Sequence, residues 1–313
     1  MGMNFSIILA SRERVHLLDS LLNSIVQNTA DQKNCEVITV IDSDDRVTRR
    51  FMERFQNTCP FARFVVRDRA PNLNDDYLNW AWRNFSTGDN IIVVNDDVVI
   101  KTPNWDRLIM ADLSRYLSDK PDGVAYGWIQ DGLTSRAGGM NYCCFPLITR
   151  KAADVLGFVM PPQFPGWGAD IGIYRIYSAV NRICDLSSVY FEHISYHTNK
   201  RGRDHISHGV EQKSSQGANP ENFDIGVSVE RLMKYIGGDA DYNKSGMLTG
   251  VTITNATLTD VTLVGGRIVG GKIVTGKIAG GKVQGGSIKS GIVNGDLQTG
   301  YISGAGDVNF LEG

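Results

Sequence analysis

The chain has 313 residues, a formal net charge of −2 and 42% hydrophobic residues. That length suits one large domain with an appendage, and the near balance of charge excludes nonspecific attraction to nucleic acid or to a membrane surface. No window is long and apolar enough to span a bilayer, so no membrane span is expected.

The first strand, Asn4–Ala10, begins so near the N-terminus that no signal peptide is expected. Ser11-Arg12-Glu13-Arg14 follows, then a helical period of apolar residues at Val15, Leu17, Leu18, Leu21, Leu22 and Ile25. A second strand, Val37–Ile41, ends on Asp42-Ser43-Asp44-Asp45. Phe61–Val66 reads as a third strand, and Asn74–Phe85 as a helix leading to Gly88-Asp89. Next, Ile91-Ile92-Val93-Val94 runs into Asn95-Asp96-Asp97 before the apolar run resumes at Val98. Its first half has the pattern of a strand buried on both faces, as in the middle of a parallel sheet. Strands alternating with helices, each strand ending in polar residues, predict a doubly wound α/β sheet. Carboxylates at a strand's carboxyl end suit a divalent cation shared with phosphate oxygens, although Asn-Asp-Asp is also good turn chemistry. Neither a Rossmann nor a P-loop glycine fingerprint is present.

The order strand–Ser-Arg–helix, strand–Asp, helix–Gly-Asp–strand–Asn-Asp-Asp resembles the GT-A glycosyltransferases, close to the family-2-like inverting enzymes. Further resemblances lie in Thr102-Pro103-Asn104-Trp105-Asp106 opening a helix and in Phe145–Arg150 as an acceptor-side strand. Gly166-Trp167-Gly168-Ala169-Asp170, with Arg175 in the helix after it, resembles the acceptor motif that carries the base. Ser188–His193 resembles the late strand that delivers a metal-binding histidine, and the match covers about residues 4–208. The resemblance implies a Rossmann-like, nucleotide-diphospho-sugar transferase fold. It also implies Mn2+ or Mg2+ as cofactor, a nucleotide sugar (UDP-sugar first) as donor, and a glycan or other hydroxyl acceptor. Asp97 and His193 become the metal ligands, and Asp170 the catalytic base. Ala10, Ser11, Arg12, Asp42 and Asp96 become donor-binding residues, with Asp42 on the base. Two positions depart from the pattern: Asn95 stands where an aspartate is usual, and Ala169 where a glutamate is common.

Trp167 beside the proposed base offers a flat face for a sugar ring, or is ordinary core packing. His197 is an alternative to His193; adding His205 and His208 gives no common zinc spacing. Lys200, Arg201, Arg203 and Asp204 form either a loop closing over the diphosphate or a solvated basic stretch. Five cysteines, Cys35, Cys59, Cys143, Cys144 and Cys184, form no disulfide framework. They are expected reduced and buried, implying a cytoplasmic protein. His16 has no assigned role. Rival functions are a non-catalytic nucleotide- or glycan-binding protein and a nucleotidyltransferase, though Ser11–Arg14 has no glycine for the latter's activation loop.

The expected boundaries are a catalytic domain over 1–210, a linker and amphipathic helix over 211–245, a repeat over 246–305 and a tail over 306–313. Gln212–Asn219 is connector-like, and Asn222–Ile236 has apolar residues at helical spacing: Phe223, Val227, Val229, Leu232, Met233 and Ile236. From Leu248 an aliphatic residue recurs every five positions, through Ile253, Leu258 and Leu263 to Val293, with glycine or another small group two before most of them. A fixed period of five argues for a wound β structure. It resembles pentapeptide-repeat coils, in which four units make one turn of a square β-helix, and also intertwined trimeric β-stems of phage fibres. On a square coil Arg267, Lys272, Lys277 and Lys282 would fall one per side. The segment's expected task is assembly, as a homo-oligomer, with a trimer foremost.

Overall fold

The computed structural model describes residues 5–134, 142–196, 200–202, 204–206, 219–220 and 223–236, and from residue 241 the backbone of seven strands. Two compact units divide the chain, one formed by 1–174 and 183–220, the other by 175–182 and 221–313. The second takes in the end of a helix that the expected boundary at 210 left with the first.

The first unit is a mixed α/β fold. Strand β1 (Phe5–Ser11) is flanked by parallel β2 (Cys35–Asp42) and parallel β4 (Asn90–Val93), and β3 (Ala62–Arg67) lies outside β2. Helix α1 (Val15–Asn28) links β1 to β2, and α2 (Arg46–Thr58) links β2 to β3. Asp45 caps α2 by accepting from Thr48 N at 3.0 Å, which satisfies one orphan donor of its first turn. The rest of the sheet is mixed. Strand β7 (Leu147–Thr149) runs antiparallel between β4 and β6 (Tyr126–Gln130), and β8 (Ile183–His193) is parallel to β6. The second half of the acidic run is a separate strand, β5 (Val98–Ile100), antiparallel to β8, so the two carboxylates sit between strands of opposite partnership. The full order is β3-β2-β1-β4-β7-β6-β8-β5.

The helix expected over Asn74–Phe85 is present in two forms. Leu73–Asn79 is a π-helix, and α3 (Trp80–Phe85) continues it. Short π-helical turns inside helices occur at functional sites. Helix α4 (Trp105–Leu117) starts at Asn104, which adopts φ 56°. Its Trp105 is fully buried, packs edge-on against Phe5 (5.1 Å) and Phe191 (5.6 Å), and donates from Nε1 to Thr29 Oγ1 at 3.0 Å. Such ring pairs contribute about 1 kcal/mol each beyond the apolar area they bury. Helix α5 begins at Arg150 and runs to Leu156, so the expected strand 145–150 is shorter, and α6 spans Ala169–Ala179. All five cysteines are free; four are buried and Cys144 is partly so.

In the second unit, α7 (Gly226–Ile236) has Val229 and Leu232 buried, whereas Val227 is exposed. Arg175, in the later half of α6, donates to Phe223 O at 3.1 Å. Strands β9 (Asp241–Asn243), β10 (Met247–Thr249), β11 (Thr252–Thr254), β12 (Thr257–Val264), β13 (Arg267–Val269), β14 (Lys272–Ser303) and β15 (Val308–Phe310) form one parallel sheet. Met247 lies opposite Thr262, Thr252 opposite Arg267, Thr257 opposite Lys272, and Val293 opposite Val308. Each partner is fifteen residues on, three five-residue units, where a square coil of four units needs twenty. The aliphatic period is kept in register: Leu248 pairs with Leu263, Ile253 with Ile268, and Ile268 with Val283. Arg267 pairs with Lys282, so these two positions share a side, unlike the expectation of one cation per side.

Candidate active site

The strand order reverses between β1 and β4, the place where open α/β sheets bind ligands beyond the strands' carboxyl ends. The chain leaving β1 supplies Ser11, Arg12 and Arg14; the chain leaving β4 supplies Asn95, Asp96 and Asp97. Ser11 Oγ donates to Asp96 Oδ2 at 2.9 Å, tying the two exits together. A cavity of about 740 Å³ opens here, lined among others by Ala10, Ser11, Arg12, Asp42, Asp96, Asp97, Trp167, Asp170 and His193. The topology therefore gathers most of the residues expected from sequence.

Asn95 is exposed, while Asp96 and Asp97 are 4% and 5% exposed. Buried carboxylates cost several kcal/mol unless paired, and each has a guanidinium beside it. Arg14 Nη1 reaches Asp96 Oδ1 at 3.2 Å, and Arg201 Nη2 reaches Asp97 Oδ2 at 2.7 Å. Burial pushes the Asp96 carboxyl up to about 6, against the pull of Arg14 and with the help of neighbouring Asp97. For Asp97 burial also raises the carboxyl, but His193 and Arg201 outweigh it and hold the group below its ordinary value.

The Oδ1 atom of Asp97 is buried and accepts no hydrogen bond, although His193 Nε2 stands 3.3 Å away. An unpartnered carboxylate oxygen beside an imidazole nitrogen fits a divalent cation whose other positions are filled by phosphate oxygens and water. The nitrogen donor suits Mn2+ better than Mg2+. No cage of three or more His, Cys, Asp or Glu side chains exists among the described residues, so substrate oxygens would have to complete the shell.

On the β2 side, Asp42 accepts from Arg12 Nη1 at 2.9 Å and from the Tyr77 hydroxyl at 2.5 Å. Arg12 also pairs with Asp44 and Glu13, so it meets three carboxylates where phosphate or base was expected. Hydrogen bonding to Asp44, despite burial, raises the Arg12 guanidinium above its ordinary value. Burial, with the bond to Asp42, pushes the Tyr77 hydroxyl up to about 12, so it stays a donor. Tyr77 has no counterpart in the sequence expectations; its only signal is its place in Asn72-Leu73-Asn74-Asp75-Asp76-Tyr77.

Also lining the cavity, Asp170 lies in the first turn of α6, with Ile171 N donating to its Oδ1 at 2.9 Å. Burial pushes its carboxyl up to about 6, and Asp131 adds to this. Asp131, another residue without sequence signal, is fully buried and accepts from Leu133 N, Thr134 N, Thr134 Oγ1 and Cys144 N at 2.7–2.8 Å. Trp167 is 45% exposed and lines the cavity, so it is not core packing.

Residues 200–206 lie against both acidic exits where described. Asp204 takes two bonds from Arg14, from Nε at 2.8 Å and from Nη2 at 2.5 Å, and one from Arg201 Nη1 at 3.3 Å. His205 Nε2 stands 3.0 Å from Glu13 Oε2. Lys200 pairs instead with Glu192 at 2.6 Å. His197, Arg203, His208 and the connector 212–218 lie outside the described residues.

No helix of the described residues is long and apolar enough to cross a membrane. No protein-family model matches the chain, nor does any curated protein. Among solved structures, residues 1–349 of S. aureus TarS align at TM-score 0.47 with 14% identity, over 61% of this chain and 60% of that one. The same TarS segment in complex with UDP-GlcNAc aligns at 0.49 and 14%, over 75% and 72% of the two chains. The mannosyltransferase PcManGT from Pyrobaculum calidifontis, in complex with GDP-Man and Mn2+, aligns at 0.48 and 13%, over 75% and 74%. At scores this low the likeness carries no argument about activity.

Proposed function

We propose that the chain moves a sugar from a nucleoside-diphosphate donor to an acceptor hydroxyl, with inversion at the anomeric carbon and the aid of a divalent cation. The observation that carries this reading is one cavity lined by Asp96, Asp97 and Asp170 together. Asp42, its carboxylate held by Tyr77 and Arg12, offers an acceptor to a nucleobase. Asp96 accepts from hydroxyls of the ribose or sugar. Asp97 and His193 would hold the cation, which when bound neutralises charge on the departing diphosphate. Arg14 and Arg201 bring positive charge to the same place. Asp170 takes the proton of the acceptor hydroxyl as that oxygen bonds to the anomeric carbon and the bond to the diphosphate oxygen breaks. A carboxylate raised to about 6 is a stronger base than an ordinary one and is still ionised at neutral pH. Trp167 offers a platform for the acceptor ring. UDP-sugar remains the first donor to try, and a glycan the first acceptor.

A binding protein without turnover has no use for a buried carboxyl of raised proton affinity in this cavity, and a nucleotidyltransferase would have a glycine-containing loop where Ser11–Arg14 stands. The tail reads as a three-sided β-coil serving assembly, its aliphatic positions stacked every fifteen residues. Incubation with UDP- and GDP-sugars and Mn2+, with and without acceptor glycans, tests the enzyme reading through nucleotide release and the product's anomeric configuration by NMR. Cation-dependent release with inverted product is expected. Absence of release from every donor would overturn the enzyme reading, and retained configuration would overturn the single displacement.

A further inference from the structure

The proline-rich loop that leads into α6 has few regular hydrogen bonds of its own, because Pro161, Pro162 and Pro165 have no N–H. It is held instead by the π-helix. Asn74 is 3% exposed and spends both amide hydrogens on this loop, donating from Nδ2 to Phe164 O at 2.6 Å and to Gly166 O at 2.9 Å. Beside it, Leu73 N donates to Pro165 O at 2.9 Å, and Asn72 Nδ2 to Pro162 O at 2.7 Å. The loop then turns at Gly168, whose φ is 93°, and enters α6 with Asp170 in the first turn. The same π-helix carries Tyr77, which donates to Asp42 on the nucleotide side. One short helix therefore bonds both to Asp42 and to the loop that carries Trp167 and leads to Asp170.

We infer that Asn74 is a positioning residue: its two bonds to the Phe164 and Gly166 carbonyls set the distance of Trp167 and Asp170 from the donor wall. This rests on the glycosyl-transfer reading. A displacement of about 1 Å at a reacting group lowers rates by about a hundredfold. A purely structural asparagine would lower stability and leave the rate per folded molecule alone. Asn28 is the control, since its Nδ2 also bridges two carbonyls, Ser24 O at 3.1 Å and Ile100 O at 3.0 Å, away from this loop.

The test compares Asn74→Ala, Asn74→Ser and Asn28→Ala in the full chain. Asn74→Ser keeps one donor and serves if the alanine variant does not fold. Trp167 is the one exposed tryptophan of five, so iodide quenching, with Trp167→Phe to identify its component, reports the loop without any activity. The inference expects increased quenching in the Asn74 variants. It also expects kcat for transfer lower by about ten- to a hundredfold, with the KM for nucleotide sugar within about twofold of the parent. Asn28→Ala should lose thermal stability only. Folded Asn74 variants with parental quenching and parental kcat would overturn the inference, as would donor KM rising in step with the loss of rate. A parent chain that transfers no sugar would overturn the glycosyl-transfer reading instead; quenching would then still decide whether Asn74 places the loop.

Discussion

Asp97 and Asp170 are the same carboxyl group under two regimes. Both suffer burial, but His193 and Arg201 bring Asp97 below its ordinary value, while Asp170 has Asp131 nearby and rises to about 6. A group held ionised suits a ligand to a cation, and one with raised proton affinity suits a base. Three predictions belong here. Asp97→Ala should abolish Mn2+-dependent binding of UDP or GDP, read by calorimetry with and without the cation; unchanged cation-dependent affinity would remove Asp97 from the metal site. Asp170→Asn should leave that binding intact and lower transfer by about two to four orders of magnitude. The pH dependence has a definite sign. Asp170 accepts a proton only when ionised, so kcat/KM should rise as pH rises through about 6 and level above it. A pH–rate profile without that acid limb would show the base to lie elsewhere.

The turn into α6 depends on one residue's conformational freedom. Gly168 sits at φ 93°, and a Cβ there would lie 3.2 Å from Phe164 and from Pro220. Replacing it with alanine combines an unfavourable backbone region with a tight contact, and should destabilise the first unit by about 1–2 kcal/mol. Urea midpoints of the parent and Gly168→Ala measure this, and an unchanged midpoint would show that the turn relaxes freely. The apolar period of α1 and the β-branched strands β1, β2 and β4 were legible because both faces of the parallel half of the sheet are covered. The π-form of Leu73–Asn79 was not, since its reason lies in bonds from Asn72 and Asn74 to a loop ninety residues later. Strand β6 also gave no usable signal: Tyr-Gly-Trp-Ile-Gln is short, and its glycine lies against Leu186 and Leu147.

All residues of the cavity belong to the first unit, and the repeat belongs to the second. Deleting residues 246–313 should therefore leave nucleotide affinity within about twofold of the full chain by calorimetry, as expected for separate compact units. In the tail the described ladder partners lie fifteen residues on for all pairs except β9 with β12. If the tail serves assembly, light scattering is expected to give an oligomeric mass, a trimer foremost, for the full protein and a single-chain mass for the truncation. A single-chain mass for the full protein would overturn the assembly role.

By itself the sequence determined which strands are buried on both faces, where their acidic ends fall, and the five-residue period of the tail. These are local patterns of side-chain type, readable along the chain. Tertiary structure alone decided that β5 and β7 run antiparallel, because strand direction depends on which distant partner completes the hydrogen-bond ladder. It also decided that Arg14 and Arg201, from opposite ends of the first unit, stand on the two buried carboxylates. Pairing of that kind is imposed by desolvation, which only a packed interior supplies. The fifteen-residue offset between ladder partners in the tail was likewise set by register, since a period of five does not specify how many units separate two partners.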